Sequence, residues 1–274
     1  MSRIKIITDS TCYISKEYVD KENLAIVPLS YVFDGVSCKE GFKGEFEEFF
    51  KKLGSTKLFP TTSQPAVGDF IKAFNEGLMD NDEIIVIVVS SKISGTYNSA
   101  MLAKNMLEDK KITIIDSETS VSNLRFLVED AVDMAKAGKS SEEIRDYINN
   151  KKKNTHIYFS TGSLEYLSRS GRLSGVQATL GNLLSIKPII ALKDGKLELI
   201  EKVRGTKKAL SSILSKIPED VKMIGICHIL NMEEALKIKT QIQEKFPNVL
   251  VTIDELGPVI GGHLGPKTFG ICIY

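Results

Sequence analysis

Glu83 to Ala100, EIIVIVVSSKISGTYNSA, is the stretch from which the fold is read. Glu83 to Val89 is a short run of apolar, mostly β-branched residues. Such a run between polar flanks predicts a strand buried on both faces. After Ser94-Gly95-Thr96 the pattern changes. Met101, Leu102, Met106 and Leu107 are spaced as on one face of a helix. The junction is therefore a strand-to-helix turn built of hydroxyls and a glycine. The first N–H groups of a helix lack intrahelical partners, and the helix dipole favours an anion there. Two readings stay open: a small oxyanion site, or an ordinary N-cap in which Ser94 or Thr96 bonds its own helix.

Outward from this stretch, strands and helices alternate. Ile4 to Ile7 reads as a strand ending in Thr8-Asp9-Ser10-Thr11, a polar turn at the strand's carboxyl end. Ligands of open α/β sheets bind at that edge. Asp9 is expected to brace a neighbouring loop rather than to catalyse. Leu24 to Phe33 reads as a second strand, and Asp34-Gly35 as a hairpin turn leading to Val36-Ser37-Cys38. An amphipathic helix is expected around Glu45 to Leu53. In Pro60-Thr61-Thr62-Ser63-Gln64-Pro65, Pro65 suits a first helical position with Gln64 as its cap. Its helix runs through Phe70, Ile71 and Phe74 towards Gly77. Thr61, Thr62 and Ser63 then precede a helix start, as Ser94 does, which is compatible with one shared anion pocket. Ile112 to Ile115 is a further strand, followed by helices near Ser122 to Ala137 and Ser141 to Asn150. The alternation predicts a doubly wound, mostly parallel sheet. The basic run Lys151-Lys152-Lys153 reads as a solvated boundary between a first domain, 1–153, and a second, 154–274.

The second half has a different pattern. Thr155 to Phe159 is a strand, and Leu164 to Ser174 a short helix ending in a basic, glycine-containing turn. Ser185 to Leu192 and Lys196 to Val203 flank Lys193-Asp194-Gly195, a strong hairpin signal. A helix follows Gly205. Then come strand Met223 to His228, helix Glu233 to Phe246, strand Val249 to Ile253 and a last strand, Phe269 to Ile273. A hairpin among βα units predicts a mixed α/β sheet with helices on one face.

The totals exclude several functions. The chain has 274 residues, is 42% hydrophobic and 26% charged, and carries a net charge of +1. Nothing in that balance is a nucleic-acid footprint. Four cysteines, Cys12, Cys38, Cys227 and Cys272, lie far apart and read as reduced thiols of a cytoplasmic protein. Met1-Ser2-Arg3 runs straight into Ile4, leaving no apolar region of a signal peptide. No apolar run is long enough to cross a bilayer, so no stable membrane insertion is expected.

Motifs for cofactors and metals fail. There is no G-x-G-x-x-G, and Gly138-Lys139-Ser140 lacks the earlier glycine of a P-loop, which is Asp133 here. His156, His228 and His263 have no metal spacing. No G-x-S-x-G elbow is present, and no base can be paired with Ser94 from the sequence. His228 lies in an apolar strand and reads as structural. For His263, within Gly261-Gly262-His263-Leu264-Gly265-Pro266, two readings stay open: a donor to a carboxylate, or a loop histidine bracing its turn. Arg169, Arg172, Lys187 and Arg204 make the early second half basic, as a solvated face or as a docking patch for an acidic partner.

Six motifs occur in order. They are Thr8-Asp9-Ser10-Thr11, Thr62-Ser63-Gln64-Pro65, Ser94-Gly95-Thr96-Tyr97 with Ser99-Ala100, Ser170-Gly171-Arg172, Arg204-Gly205 with Lys207-Lys208-Ala209, and His263-Leu264-Gly265-Pro266. Together they resemble the DegV family over essentially the whole chain. The resemblance implies two domains holding a long-chain fatty acid such as palmitate, with no cofactor, metal or catalytic residue of the protein's own. It implies that Thr62, Ser94, the Gly95 backbone and His263 meet the carboxylate, and that the acyl chain lies in an apolar tunnel made mostly by the second domain. It further implies a partner, a fatty acid kinase, with Arg172 as a docking candidate. Ala66, Ser170 and Lys267 depart from the family pattern, which has serine, glycine and glycine there. The rival functions are a serine hydrolase using Ser94 and a sensor of small carboxylates.

Overall fold

The Glu83–Val89 run forms a strand over Glu83–Val88, and Ile84 to Val88 are completely buried. The computed structural model describes residues 3–56, 58–108, 111–162, 164–173 and 186–274. In chain order the strands are β1 (Ile4–Asp9), β2 (Ala25–Val27), β3 (Ser30–Phe33), β4 (Val36–Lys39), β5 (Thr61–Ser63), β6 (Glu83–Val88) and β7 (Ile112–Asp116). They continue with β8 (His156–Ser160), β9 (Ile186–Lys193), β10 (Lys196–Arg204), β11 (Met223–His228), β12 (Leu250–Glu255) and β13 (Phe269–Ile273). The helices of the first half are α1 (Lys16–Lys21), α2 (Glu47–Ser55), α3 (Val67–Asp80), α4 (Thr96–Leu107), α5 (Val121–Lys136) and α6 (Ser141–Lys151). Those of the second are α7 (Glu165–Ser170), α8 (Thr206–Leu214), α9 (Met232–Lys245) and α10 (Pro258–Leu264). Ser174 and Ser185, expected in α7 and β9, lie outside the described residues.

The first sheet has the order β2-β1-β6-β7 and is parallel throughout. Side chains of β6 alternate between its faces. Ile85 and Ile87 pack with Leu124 and Leu127 of α5 and Ile144 of α6. Ile84, Val86 and Val88 pack with Phe70 and Phe74 of α3 and Ala100 and Ala103 of α4. Each of these Ile, Val, Leu and Phe side chains contributes about 1.5–3 kcal/mol of burial energy. α4 does not bury the stripe that its spacing predicts. Leu102 and Met106 are exposed, and the buried face is Thr96, Ser99, Ala100 and Ala103. These small side chains let α4 lie close against its neighbours.

The second sheet has the order β10-β9-β8-β13-β11-β12, antiparallel except for the parallel pair β11 and β12. The Asp194-Gly195 turn joins β9 and β10, with both residues at positive φ. Helices α8 and α9 cover one face, over Ile224, Ile226, Ile271 and Ile273. The opposite face carries Ile157, Phe159, Ile190, Leu192 and Cys227 and turns towards the first half of the chain.

A third sheet, β4-β3-β5, is antiparallel; its β3–β4 hairpin at Asp34-Gly35 is as expected, whereas β5 and the separation from the first sheet are absent from the sequence reading. The single strand expected over Leu24–Phe33 is split at Pro28-Leu29 between two sheets. Pro28 has no N–H to continue a ladder, and the Leu29 N–H donates to Ser10 Oγ at 3.1 Å. Thr61–Ser63 pairs with β3 as a strand, so the chain is still extended at Ala66 and Pro65 precedes the helix rather than opening it. The Lys151–Lys153 run is not a freely solvated boundary. The Lys152 ammonium donates to Asp116 O and to Glu118 Oε1, each at 2.8 Å.

Contacts tie the two sheets together. Ser90 Oγ donates to Gly195 O at 2.8 Å. The half-buried Asp254 carboxylate accepts from Ser122 Oγ at 2.6 Å and from Arg125 at 2.7 Å.

Candidate functional site

The carboxyl ends of β1 and β6 face the side of the second sheet opposite α8 and α9 across a cavity. About 960 Å³ there is free of protein atoms, its open mouth included. Most of the wall is apolar: Val121, Ile157, Phe159, Leu192, Leu197 and Leu256 belong to it. The polar part of the lining includes Thr62, Ser94, Gly95, Arg172 and His263. All five candidate residues read from the sequence are therefore brought to one space.

Thr62 sits in β5, opposite Tyr31 of β3. His263 stands in the last turn of α10, so it is a helical residue and not part of a loop. The two are hydrogen-bonded, with Thr62 Oγ1 and His263 Nε2 2.7 Å apart. Gly261 and Gly262 let this helix pack closely. A Cβ on the first would come within 2.7 Å of Phe50, and on the second within 2.8 Å of Pro60. Burial, with a smaller effect of the Arg172 charge, pushes the His263 imidazole down to about 4. At neutral pH the ring is uncharged, with one nitrogen a donor and the other an acceptor.

Ser94 is not the N-cap of α4; that position is Gly95, which makes no side-chain cap bond. Ser94 Oγ lies 2.8 Å from Thr96 Oγ1 and accepts from the Thr96 N–H at 3.3 Å, so it serves the start of α4. It also lines the cavity. Gly95 lies against the end of the Gln64 side chain, 2.9 Å from where a Cβ would stand. That contact brings the exit of β5 against the start of α4, which places Thr62 and Ser94 in one wall.

Arg172 is exposed, and its Nη1 donates to Ser170 O at 2.5 Å. The docking candidate is thus also a cation of the cavity wall. Asp9 braces, as expected. Oδ1 accepts from the Thr11 N–H at 2.9 Å and Thr11 Oγ1 at 2.6 Å, and Oδ2 accepts from the Val89 N–H at 2.7 Å. His228 is buried in β11, and its Nδ1 accepts from the Asn231 N–H at 3.4 Å.

Three residues of the region escape the sequence reading. Ser120, buried in the cavity wall, has an Oγ without a partner among the described residues. Val121, beside it, has a φ of 48°, a left-handed conformation that costs a β-branched residue strain. Strained backbone of this kind clusters at ligand sites. Glu40 is buried behind α10. Nothing in Lys39-Glu40-Gly41 distinguishes it from an ordinary polar turn.

Among the described residues there is no group of three His, Cys, Asp or Glu side chains able to hold a metal. None of their helices is long and apolar enough to cross a membrane.

The family model described as "Uncharacterised protein, DegV family" matches residues 3–274. A DegV domain-containing protein of Clostridium perfringens is 36% identical over 98% of this chain and 97% of its own length. The chain belongs to the DegV family. Among solved structures, DegV of Bacillus subtilis, described as a fatty acid binding protein, superposes with a TM-score of 0.90 at 34% identity, covering 100% of this chain and 99% of that one. A stearic acid-binding protein of Eubacterium ventriosum superposes with a TM-score of 0.88 at 28% identity, covering 98% and 97%.

Proposed function

We propose that the protein binds a long-chain fatty acid, with no catalysis of its own, and presents it in the cytoplasm to a fatty acid kinase. The observation that carries this reading is a largely apolar cavity whose polar lining includes the Thr62–His263 pair and Ser94. In this reading, residues 1–153 supply most of the head-group contacts, and residues 154–274 supply His263 and most of the sleeve.

The hydrogen-bond arithmetic supports a carboxylate. A threonine hydroxyl has one proton. If His263 carries its proton on Nε2 and donates to Thr62 Oγ1, the Thr62 proton is free for the ligand. If Thr96 Oγ1 donates to Ser94 Oγ, the Ser94 proton is free as well. Two hydroxyl donors then meet an anion, with Arg172 adding positive charge. Such charge-assisted bonds contribute about 1.5–3 kcal/mol each. The tail contributes more: a dozen buried methylenes give about 10 kcal/mol before ordering costs. The head group fixes orientation, and the chain supplies affinity.

Among the described residues Ser94 has Thr96 as its hydroxyl partner and His263 is bonded to Thr62, so the serine of the rival hydrolase is not paired with a base. That arrangement favours binding over hydrolysis. The experiment is native mass spectrometry of the purified protein, with the Thr62→Ala/Ser94→Ala double variant beside it. A bound fatty acid retained by the parent and lost by the variant is the expected result. Equal retention by the two would remove these hydroxyls from the site.

A further inference from the structure

Glu40 follows β4 and is 4% exposed, yet it is a carboxylate surrounded by donors. Oε2 accepts from Ser10 Oγ at 2.7 Å. Oε1 accepts from Tyr13 Oη at 3.2 Å and from the Val259 N–H at 2.8 Å. Tyr13 Oη in turn accepts from the Ile260 N–H at 3.3 Å. Val259 and Ile260 belong to the first turn of α10, where backbone donors have no partner within the helix. An internal carboxylate, 219 residues away in sequence, takes the place of a local cap. The fit is close, because a Cβ on Gly257 would lie 2.7 Å from Glu40 Oε1.

His263 is four residues beyond Val259, and so lies on the same helix face one turn on. The other wall is pinned by the same turn. Asp9, which caps Ser10–Cys12, holds the Val89 N–H just before the segment that carries Ser94. The turn after β1 therefore reaches His263 through Ser10, Tyr13 and Glu40, and Ser94 through Asp9.

We propose that Glu40 is a positioning residue for the acid-binding pair: its carboxylate, held by Ser10 and Tyr13, anchors the first turn of α10 and thereby sets His263 against Thr62. The proposal rests on the fatty-acid reading for its consequence, but its geometric part stands without a ligand. Burial pushes the Glu40 carboxyl up to about 7, against the lowering effect of its hydrogen bonds. The ionisable groups around it are Asp9 and Tyr13 from the turn after β1 and Lys43 from the loop after β4, which shares a hollow with Glu40. α10 brings its backbone donors, with His263 at its far end, and the Pro28-Leu29 link and Phe46 bring no charge. A carboxylate can accept from all three donors. A protonated carboxyl turns one bond to a hydroxyl round and loses the charge that strengthens the others, so its hold on the first turn of α10 weakens. Acid affinity therefore falls as pH drops through about 7, while His263 stays uncharged down to about 4.

The test combines stearate titration with NMR of ¹⁵N-labelled histidine. Glu40→Ala is expected to shift the His263 ring resonances in the ligand-free protein and to weaken stearate binding by about tenfold. Glu40→Gln, a neutral mimic of the protonated carboxyl, is expected to bind with the parent's low-pH affinity throughout and so to lose the step near pH 7. The stearate carboxyl titrates alike in both, so the difference between parent and variant belongs to Glu40. A folded Glu40→Ala variant with unmoved His263 resonances and stearate affinity within about twofold of the parent would overturn the proposal. If Glu40→Ala does not fold, Glu40→Gln decides: a pH step retained there overturns the proposal, and its loss supports it. A parent that ignores stearate while Glu40→Ala shifts His263 would refute the lipid reading and leave the positioning role standing.

Discussion

Thr62 Oγ1 and His263 Nε2 lie 2.7 Å apart although 201 residues separate them in the chain. One comes from a short strand of the first half and the other from a helix near the C-terminus. The bond spans the wall of the cavity and leaves the Thr62 proton available when His263 is the donor.

Removing both hydroxyls is therefore costly. Thr62→Ala with Ser94→Ala deletes two charge-assisted bonds, about 3–6 kcal/mol together at most. Calorimetric titration is expected to show affinity for a long-chain acid falling by about a hundredfold or more. The tail contribution remains, so weak binding persists. A loss below about threefold contradicts the assignment.

The sleeve has its own prediction. Leu197 of β10 lines the cavity and is half-buried. Leu197→Trp takes up space that the tail would use. The spectrum of acids carried after purification is expected to move to shorter chains, each lost methylene removing about 0.8 kcal/mol. An unchanged spectrum would place the tail elsewhere.

Asp9 is a stability residue. Asp9→Ala leaves the buried Val89 N–H without its acceptor and frees Thr11. The expected loss is about 2–3 kcal/mol in urea unfolding. A loss near zero would mean that water replaces the carboxylate.

Glu40 and His263 give opposite pH dependences of stability. Glu40 is raised in the fold from 4.5 to about 7, so between these values the folded state holds the extra proton and stability falls as pH rises. His263 is lowered from 6.5 to about 4, so between these values the unfolded state holds the extra proton and stability rises with pH. Each effect is about 3 kcal/mol at most, and over the shared window they largely cancel. Glu40→Gln is expected to leave stability rising from pH 4 to 6.5, and His263→Ala to leave it falling from pH 4.5 to 7. Urea unfolding across pH checks both signs.

Much of this was legible in the chain. The β-branched run at Ile84 to Val88 is the buried centre of a parallel sheet because both its faces are covered by helices. Asp34-Gly35 and Asp194-Gly195 turn as their residue types require, at positive φ. The joining of Thr62, Ser94 and His263 was not legible from periodicity, since it depends on β5 and α10 arriving at one wall, and it entered the reading through the ordered motifs. The third strand of the third sheet escaped because Thr61–Ser63 gains its strand character only by pairing with β3. α4 misled because its buried face is made of small residues, which carry almost no hydrophobic signal. Glu40 escaped for a related reason: a buried carboxylate looks like any other in sequence, and only the donors gathered round it reveal its place.

The most direct test of the account is the mass of what stays bound. The protein purified under mild conditions and sprayed intact is expected to carry one long-chain fatty acid, released by denaturation and depleted in the Thr62→Ala/Ser94→Ala variant. Protein that emerges free of any acyl ligand, and does not take up stearate when it is supplied, would contradict the central claim.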